Sequence, residues 1–315
     1  MHAFYGCSNL ASITIPESVT TIEWAAFGSC KSLENIILPN GLKNIESGLF
    51  GGCSSLKEIT IPDSVENIDT HAFEKCTSLV NVIFGRGVEK IWNDALKGCS
   101  SLTSIVIPNG VRRIGDGIFA DCISLTNVTL GKGITRIETG VFKGCTSLAS
   151  IIIPDNVERI EMNAFEGCTS LADVTLGSGV KDIWHNAFKG CTSLVRIVIP
   201  DSVKSIGMNA FEGCTSLTNV TLGNGITQIC EGAFKGCTGL SEIFIPNNIM
   251  DIRKDAFAQC INLKDVYLGL KHPSNKGGAF AENALYFKIY VPNGGVESYI
   301  NAWWGGWRKY KDIIV

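Results

Sequence analysis

Twelve of the thirteen cysteines, at positions 7, 30, 53, 76, 99, 122, 145, 168, 191, 214, 237 and 260, are spaced by 23 residues without a slip. A period held over most of a chain means stacked copies of one small unit, each burying its apolar face against the next. The length, 315 residues, would by itself suggest two ordinary domains. The period replaces that expectation with a solenoid, in which only Cys230 is out of register.

The unit from Ser8 to Cys30 shows what one coil contains. Leu10, Ile13 and Ile15 form L-x-x-I-x-I, followed by Pro16, Val19, Ile22, Ala26-Phe27 and Cys30. Alternating apolar residues rich in β-branched types read as a half-buried strand, and Pro16 ends it by removing a donor. Val19 and Ile22 predict a second short extended segment. Ala26-Phe27-x-x-Cys30 predicts one helical turn closing the coil, since 23 residues leave no room for a helical crossover. Stacking thirteen such strands about 4.8 Å apart gives a parallel sheet on the concave face of a rod roughly 60 Å long. A 23-residue unit falls within the range of leucine-rich repeats, so the predicted fold is a β-rich leucine-rich repeat solenoid. From Pro62 onward an I-x-I-P form (Pro108, Pro154, Pro200, Pro246) alternates with a V-x-L-G form (Gly85, Gly131, Gly177, Gly223, Gly269), which implies duplication of 46-residue pairs.

Residues 1–280 are read as the repeat array and 281–315 as the last strand with a C-terminal cap. The chain opens in mid-repeat at Ala3-Phe4-x-x-Cys7, so it is taken as a fragment or module of something longer, and end-to-end self-association through the first coil is one expectation. At the other end the frame degrades: His272, Asn275 and Asn283 replace the expected Val, Ile and Cys. Ile289-Tyr290-Val291-Pro292 remain in register as a thirteenth strand. Val296, Tyr299, Ile300, Trp303, Trp304, Trp307 and Tyr310 then recur at helical spacing, interrupted by Gly305-Gly306, the pattern of a capping amphipathic helix.

The phrase F-x-G-C-x-S-L-x-x-I-x-I-P-x-x-V-x-x-I, as in Phe188 to Ile206, together with the ending Ile289 to Tyr299, resembles the BspA-type leucine-rich repeat family over essentially the whole chain. The resemblance implies a surface or secreted protein of host-associated bacteria or protist parasites, with a host matrix protein, receptor or other cell-surface protein as partner. It carries over no binding residue, because the motif is structural. No signal peptide opens this sequence, which keeps a cytoplasmic location open.

Other chemistries leave little trace. Lys and Arg total 27 against 30 acidic residues, a net charge of -3 with no basic stripe, so no nucleic-acid partner is expected. No apolar run reaches the roughly 18 residues of a membrane span. The four histidines (His2, His71, His185, His272) fit no zinc or hydrolase motif, Gly85-Arg-Gly87 and Gly223-Asn-Gly225 mark turns rather than a phosphate loop, and no C-x-x-C pair holds a metal. No enzyme activity, cofactor or metal is expected. Asn127-Val-Thr129 and Asn219-Val-Thr221 match a glycosylation sequon but recur as repeat positions. For the cysteine ladder two readings stand: disulfides between coils, and reduced packing thiols, which is favoured because equivalent side chains point the same way beside a core Phe. Cys230 is expected to be more exposed than the ladder.

The residue between the two isoleucines of each strand must point away from the core. From Thr14 to Thr221 these ten are Thr, Ile or Val, good for a sheet surface and uninformative as recognition. The last three are Phe244, Tyr267 and Tyr290, an aromatic strip open to two readings, cross-strand packing or a binding hot spot. Two residues before the outward position of each strand stand polar side chains, among them Arg196 and Asn219 before Val198 and Thr221, and Glu242 and Asp265 before Phe244 and Tyr267, suited to the rim of a protein interface. Trp92 and Trp184 share one repeat position near the second strand, where packing between coils is favoured over a lateral site. The leading expectation is a non-enzymatic protein-binding or adhesion module using Phe244, Tyr267, Tyr290, Arg196, Asn219, Glu242 and Asp265. A rigid spacer and an intracellular scaffold or effector are the rivals.

Overall fold

The computed structural model describes residues 2–270, 278–281, 283, 287–301 and 307–315. His272, Asn275, Trp303, Trp304 and the Gly305-Gly306 break lie outside them. The chain divides into two compact units, Met1–Ile152 and Ile153–Val315, built from the same coil.

In the first unit the L-x-x-I-x-I phrase forms three-residue strands such as Ser12–Thr14, Asn35–Ile37 and Glu58–Thr60. In the second it forms Asp173–Leu176, Arg196–Val198, Asn219–Thr221, Glu242–Ile245, Asp265–Leu268 and Lys288–Tyr290. Pairing is parallel, and partners are one repeat apart, as in Ser12 with Asn35 and Arg196 with Asn219. The middle residue turns inward and its neighbours face solvent, the alternation that the sequence pattern requires. The predicted second segment is a two-residue strand with its Ile buried, as in Asn44–Ile45 and Ser205–Ile206, and these short strands make a second parallel ladder.

The predicted helical turn is not formed. That stretch is a pair of turns, each holding a residue in the left-handed region, as at Asn186 (φ 58°) and Gly190 (φ 73°). Bonds inside it span three residues, such as Cys191 N–H to the Phe188 carbonyl at 3.2 Å. Alternate N–H groups instead reach the next coil: Asn186 to Met208, Phe188 to Ala210 and Gly190 to Glu212, at 2.7–2.9 Å. A left-handed residue stops helix propagation, and the stacked neighbour supplies the acceptors that a helix would have provided internally. The turn is thus a third inter-coil ladder.

Each ladder cysteine is fitted into this turn. Cys53 Sγ donates to the Phe27 carbonyl one coil back at 3.1 Å, and Cys191 Sγ to that of Phe165 at 3.2 Å. All thirteen cysteines are free, so the packing-thiol reading holds and the disulfide reading does not. Eleven are buried; Cys7 is exposed and Cys230 half-buried. With an aromatic disulfide reagent, the native protein is expected to react rapidly at Cys7, more slowly at Cys230, and at all thirteen thiols only in denaturant. Rapid reaction of several buried thiols in the native state would contradict this packing.

Phenylalanines stack beside the thiols. Phe165, Phe188, Phe211, Phe234 and Phe257 lie 5.0–5.2 Å apart between ring centroids with planes within 5°, and all are fully buried. Among the described residues no polar or charged residue is buried.

The 46-residue alternation has a steric cause. A Cβ on Gly223 would sit 2.5 Å from the Pro200 carbonyl oxygen, and one on Gly225 only 1.8 Å from that of Asp201. The proline turn of one coil therefore presses on a turn in the next that tolerates no side chain. Asp201 also accepts the N–H of Asn224, between the two glycines, at 2.7 Å. Asp155 does the same for Ser178, and these bonds, backbone first and hydroxyl second, lower its carboxyl pKa.

At the C-terminus a short helix, Val296–Ile300, and a 3-10 turn, Trp307–Tyr310, cover the last coil. Tyr299 and Trp307 are buried, and the Tyr299 hydroxyl donates to the Leu270 carbonyl at 3.0 Å. Ile313–Val315 then return beside the thirteenth strand, with Ile289 N–H bonded to the Ile313 carbonyl and Val315 N–H to that of Ile289, both at 2.8 Å. Asn283, at a cysteine position, accepts the Cys260 N–H at 3.0 Å.

Candidate functional site

The solvent-facing side of the longer strands in the second unit carries the candidate residues, brought into line by parallel register. Phe244 pairs with Tyr267 and Tyr267 with Tyr290. Their rings stack at 4.4 Å and 4.7 Å with interplanar angles of 6° and 12°. Phe244 is 58% exposed and the two tyrosines are half-buried. The strip is therefore self-packed and still accessible, and the two readings of it are compatible.

One row over, Glu242, Asp265 and Lys288 occupy neighbouring strands in register. The Tyr290 hydroxyl is hydrogen-bonded to the Asp265 carboxylate, which raises the phenol's pKa. That bond fixes the outer ring of the stack. Asn219, Glu242 and Phe244 line one concavity of about 350 Å³ together with Thr218, Thr221, Leu222 and Pro246. Arg196 is not part of it; the guanidinium lies 3.9 Å from Asp173 in an exposed ion pair. Thr218 and Pro246 escaped the sequence reading because their contribution depends on how the strand ends turn; the alternating proline was the available signal.

The β-branched stripe lies open, with Ile37 81%, Val106 63% and Val198 59% exposed. Cys230 is half-buried; burial raises its thiol pKa, with Arg253 lowering and Asp251 raising it. Trp92 is half-buried under the Arg113 guanidinium, 4.6 Å from the ring centroid, and Trp184 is 38% exposed. Among the described residues no cluster of three or more His, Cys, Asp or Glu is arranged to hold a metal ion, and no helix is long and apolar enough to cross a membrane.

Parallel coils opening on L-x-x-I-x-I strands and closed by a buried phenylalanine and cysteine define a leucine-rich repeat protein, a fold whose general use is protein interaction. This chain belongs to the BspA type leucine rich repeat family: residues 1–120, 89–204 and 181–300 match it, with six copies of the region. A crystal structure of a leucine-rich repeat protein from Bacteroides ovatus is 33% identical with a TM-score of 0.68, covering 76% of this chain and 61% of that one. The chain thus spans about three fifths of that protein's length. A leucine rich cell surface protein from Faecalibacterium prausnitzii is 29% identical, TM-score 0.53, covering 91% of this chain and 90% of the other. A leucine-rich repeat protein from Eubacterium ventriosum, 23% identical with a TM-score of 0.58 over 88% of this chain and 82% of its own, shares the fold. No curated protein matches the chain.

Proposed function

We propose that the chain is a non-enzymatic binding module of a surface or secreted protein, engaging a host matrix protein, receptor or other cell-surface protein through the longer-strand face at Phe244, Tyr267 and Tyr290. The observation that carries this reading is the exposed, pre-stacked aromatic row beside a polar concavity. Its rings are already ordered by one another and by the Tyr290–Asp265 bond, so binding would cost little side-chain entropy. Aromatic anchors with a polar rim are the usual make-up of energetically dominant interface residues. Location at the surface is supported by the F. prausnitzii relative, described as a cell surface protein.

The test is capture from host-cell extracts and extracellular matrix preparations, with the intact protein and its Phe244→Ala/Tyr267→Ala/Tyr290→Ala variant as baits and circular dichroism confirming that both are folded. A protein held by the intact bait is expected to bind the variant at least tenfold more weakly. Equal capture by both would remove the strip from the interface, and no capture by either would favour a rigid spacer.

A further inference from the structure

We propose that a second site, the cleft beside Trp92 on the short-strand ladder of the first unit, binds a neutral oligosaccharide. The cleft has a volume of about 420 Å³ and is lined by Asn44, Glu46, Asn67, Asp69 and Trp92. It is built by the repeat: Asn44 and Asn67 are register partners, and Glu46, Asp69 and Trp92 share one position in three successive coils. This composition, a planar aromatic wall with amides and carboxylates, is what a pyranose needs. Its C–H face lies on an indole while its hydroxyls donate to carboxylates and accept from amide N–H groups.

The polar groups are partly set and partly free for such a ligand. Asn67 Nδ2 donates to Asn44 Oδ1 at 3.0 Å, which orients both amides and leaves the Asn44 NH2 and the Asn67 carbonyl to bond elsewhere. Asp69 Oδ1 accepts the Thr70 N–H at 2.7 Å, leaving its second oxygen. Asn–Asn spacing along the ladder follows the inter-strand distance of about 4.8 Å, close to the length of one pyranose ring, so successive sugars could meet successive coils.

Charge decides between ligand classes. The Arg113 guanidinium, from the coil after Trp92, lies 4.6 Å from the ring centroid, whereas the other residues lining the cleft come from the two coils before it. Gly115, at the tryptophan's own repeat position in the next coil, has no side chain to compete: a Cβ there would lie 2.4 Å from the Asn93 nitrogen. Arg113 already occupies one face of the ring's quadrupole and would repel a second cation on the other. Glu46 and Asp69 repel an anion. With Lys90 and Arg113 on the same ladder the four charges cancel, and an uncharged polyol is the class that meets no repulsion.

The tryptophan position recurs four coils later, where Glu138, Glu161, Trp184 and Gly207 repeat Glu46, Asp69, Trp92 and Gly115. There Arg136 and Arg159 replace the two asparagines, and Arg159 is tied to Asp182 at 3.3 Å. The second tryptophan therefore serves as a control rather than a second site.

Affinity electrophoresis through gels containing soluble neutral polysaccharides (hydroxyethylcellulose, xyloglucan, glucomannan, galactomannan and starch) tests the proposal on the full chain. Calorimetry with a hexasaccharide of the retarding polymer then supplies the affinity. At least one polymer is expected to retard the protein, and Trp92→Ala and Asn67→Ala to weaken binding tenfold or more. Trp184→Ala and the triple aromatic variant are expected to bind as wild type, which separates this site from the protein-binding strip. Should Trp92→Ala misfold, Asn67→Ala and Glu46→Ala carry the test. No retardation by any polymer, retardation unaffected by Trp92→Ala and Asn67→Ala, or binding of polylysine alone would overturn the proposal.

Discussion

Taken from pH 9 towards pH 12 in the presence of reductant, the folded protein is expected to lose stability far more steeply than an ordinary domain. Burial pushes the thiols of Cys53, Cys122, Cys214 and Cys260 up to about 12. It raises those of Cys76, Cys99, Cys191 and Cys237 well above the usual thiol range. In the unfolded chain a thiol ionises near pH 8.5. Below that pH both states keep the proton and the linkage is absent. Above it the unfolded chain releases protons that the folded one holds, so stability falls until the folded thiols ionise in turn. Each such thiol contributes about 1.4 kcal/mol per pH unit, so the four near 12 alone give about 5 kcal/mol per pH unit, and the four raised further steepen the fall. Against a stability on the order of 10 kcal/mol, unfolding should set in between about pH 9.5 and 11. Urea midpoints measured across this range check it. Cys→Ala at positions 53, 122, 214 and 260 should flatten the slope even if it lowers stability at pH 7. A wild-type midpoint unchanged to pH 11 would contradict the buried ladder.

The second large effect is expected in the phenylalanine stack. Phe188 is fully buried and lies 5.0 Å from Phe165 and 5.2 Å from Phe211. Phe188→Ala leaves a cavity between two rings in a core held by stacked neighbours, at a cost of about 3–5 kcal/mol. Phe188→Leu should cost about 1 kcal/mol, since Leu96 fills the same repeat position in the first unit, fully buried. Because each coil contacts only its neighbours, the loss should appear first as local opening. Amide exchange is expected to quicken at Ala187–Cys191 and at Ala210–Cys214 before distant coils respond. A uniform change along the chain, or an Ala variant as stable as Leu, would contradict the stack.

The residues that the sequence reading placed correctly are those whose role repeats. Ile13, Ile22, Phe27 and Cys30 recur every 23 positions, so the two strands and the buried thiol could be read from spacing alone. The closing turn could not. Its left-handed positions are held by residues as different as Ala25, Lys75 and Gln259 as well as by glycine and asparagine, and the acceptors that favour it belong to the next coil. The Pro–Gly alternation was visible as a pattern, whereas its cause, the Pro200 carbonyl against Gly223, appears only when coils are stacked. The return of Ile313–Val315 was missed because three β-branched residues after a helical pattern carry no period. In the candidate site, Phe244, Tyr267 and Tyr290 followed from register. The Tyr290–Asp265 bond, the concavity under Pro246 and the Arg196–Asp173 pair depend on side-chain reach, which periodicity does not encode.

The most direct test of the binding account is photo-crosslinking from within the strip. A benzophenone amino acid is placed at position 267 in one sample and, as a control, at position 204, an exposed lysine beside the short strand Ser205–Ile206. Both proteins are irradiated in host-cell extract and in solubilised extracellular matrix. The account predicts a discrete protein adduct from position 267, absent from position 204 and lost when Phe244 and Tyr290 are also changed to Ala. Adducts from position 204 alone, or the same adduct from both positions, would contradict it.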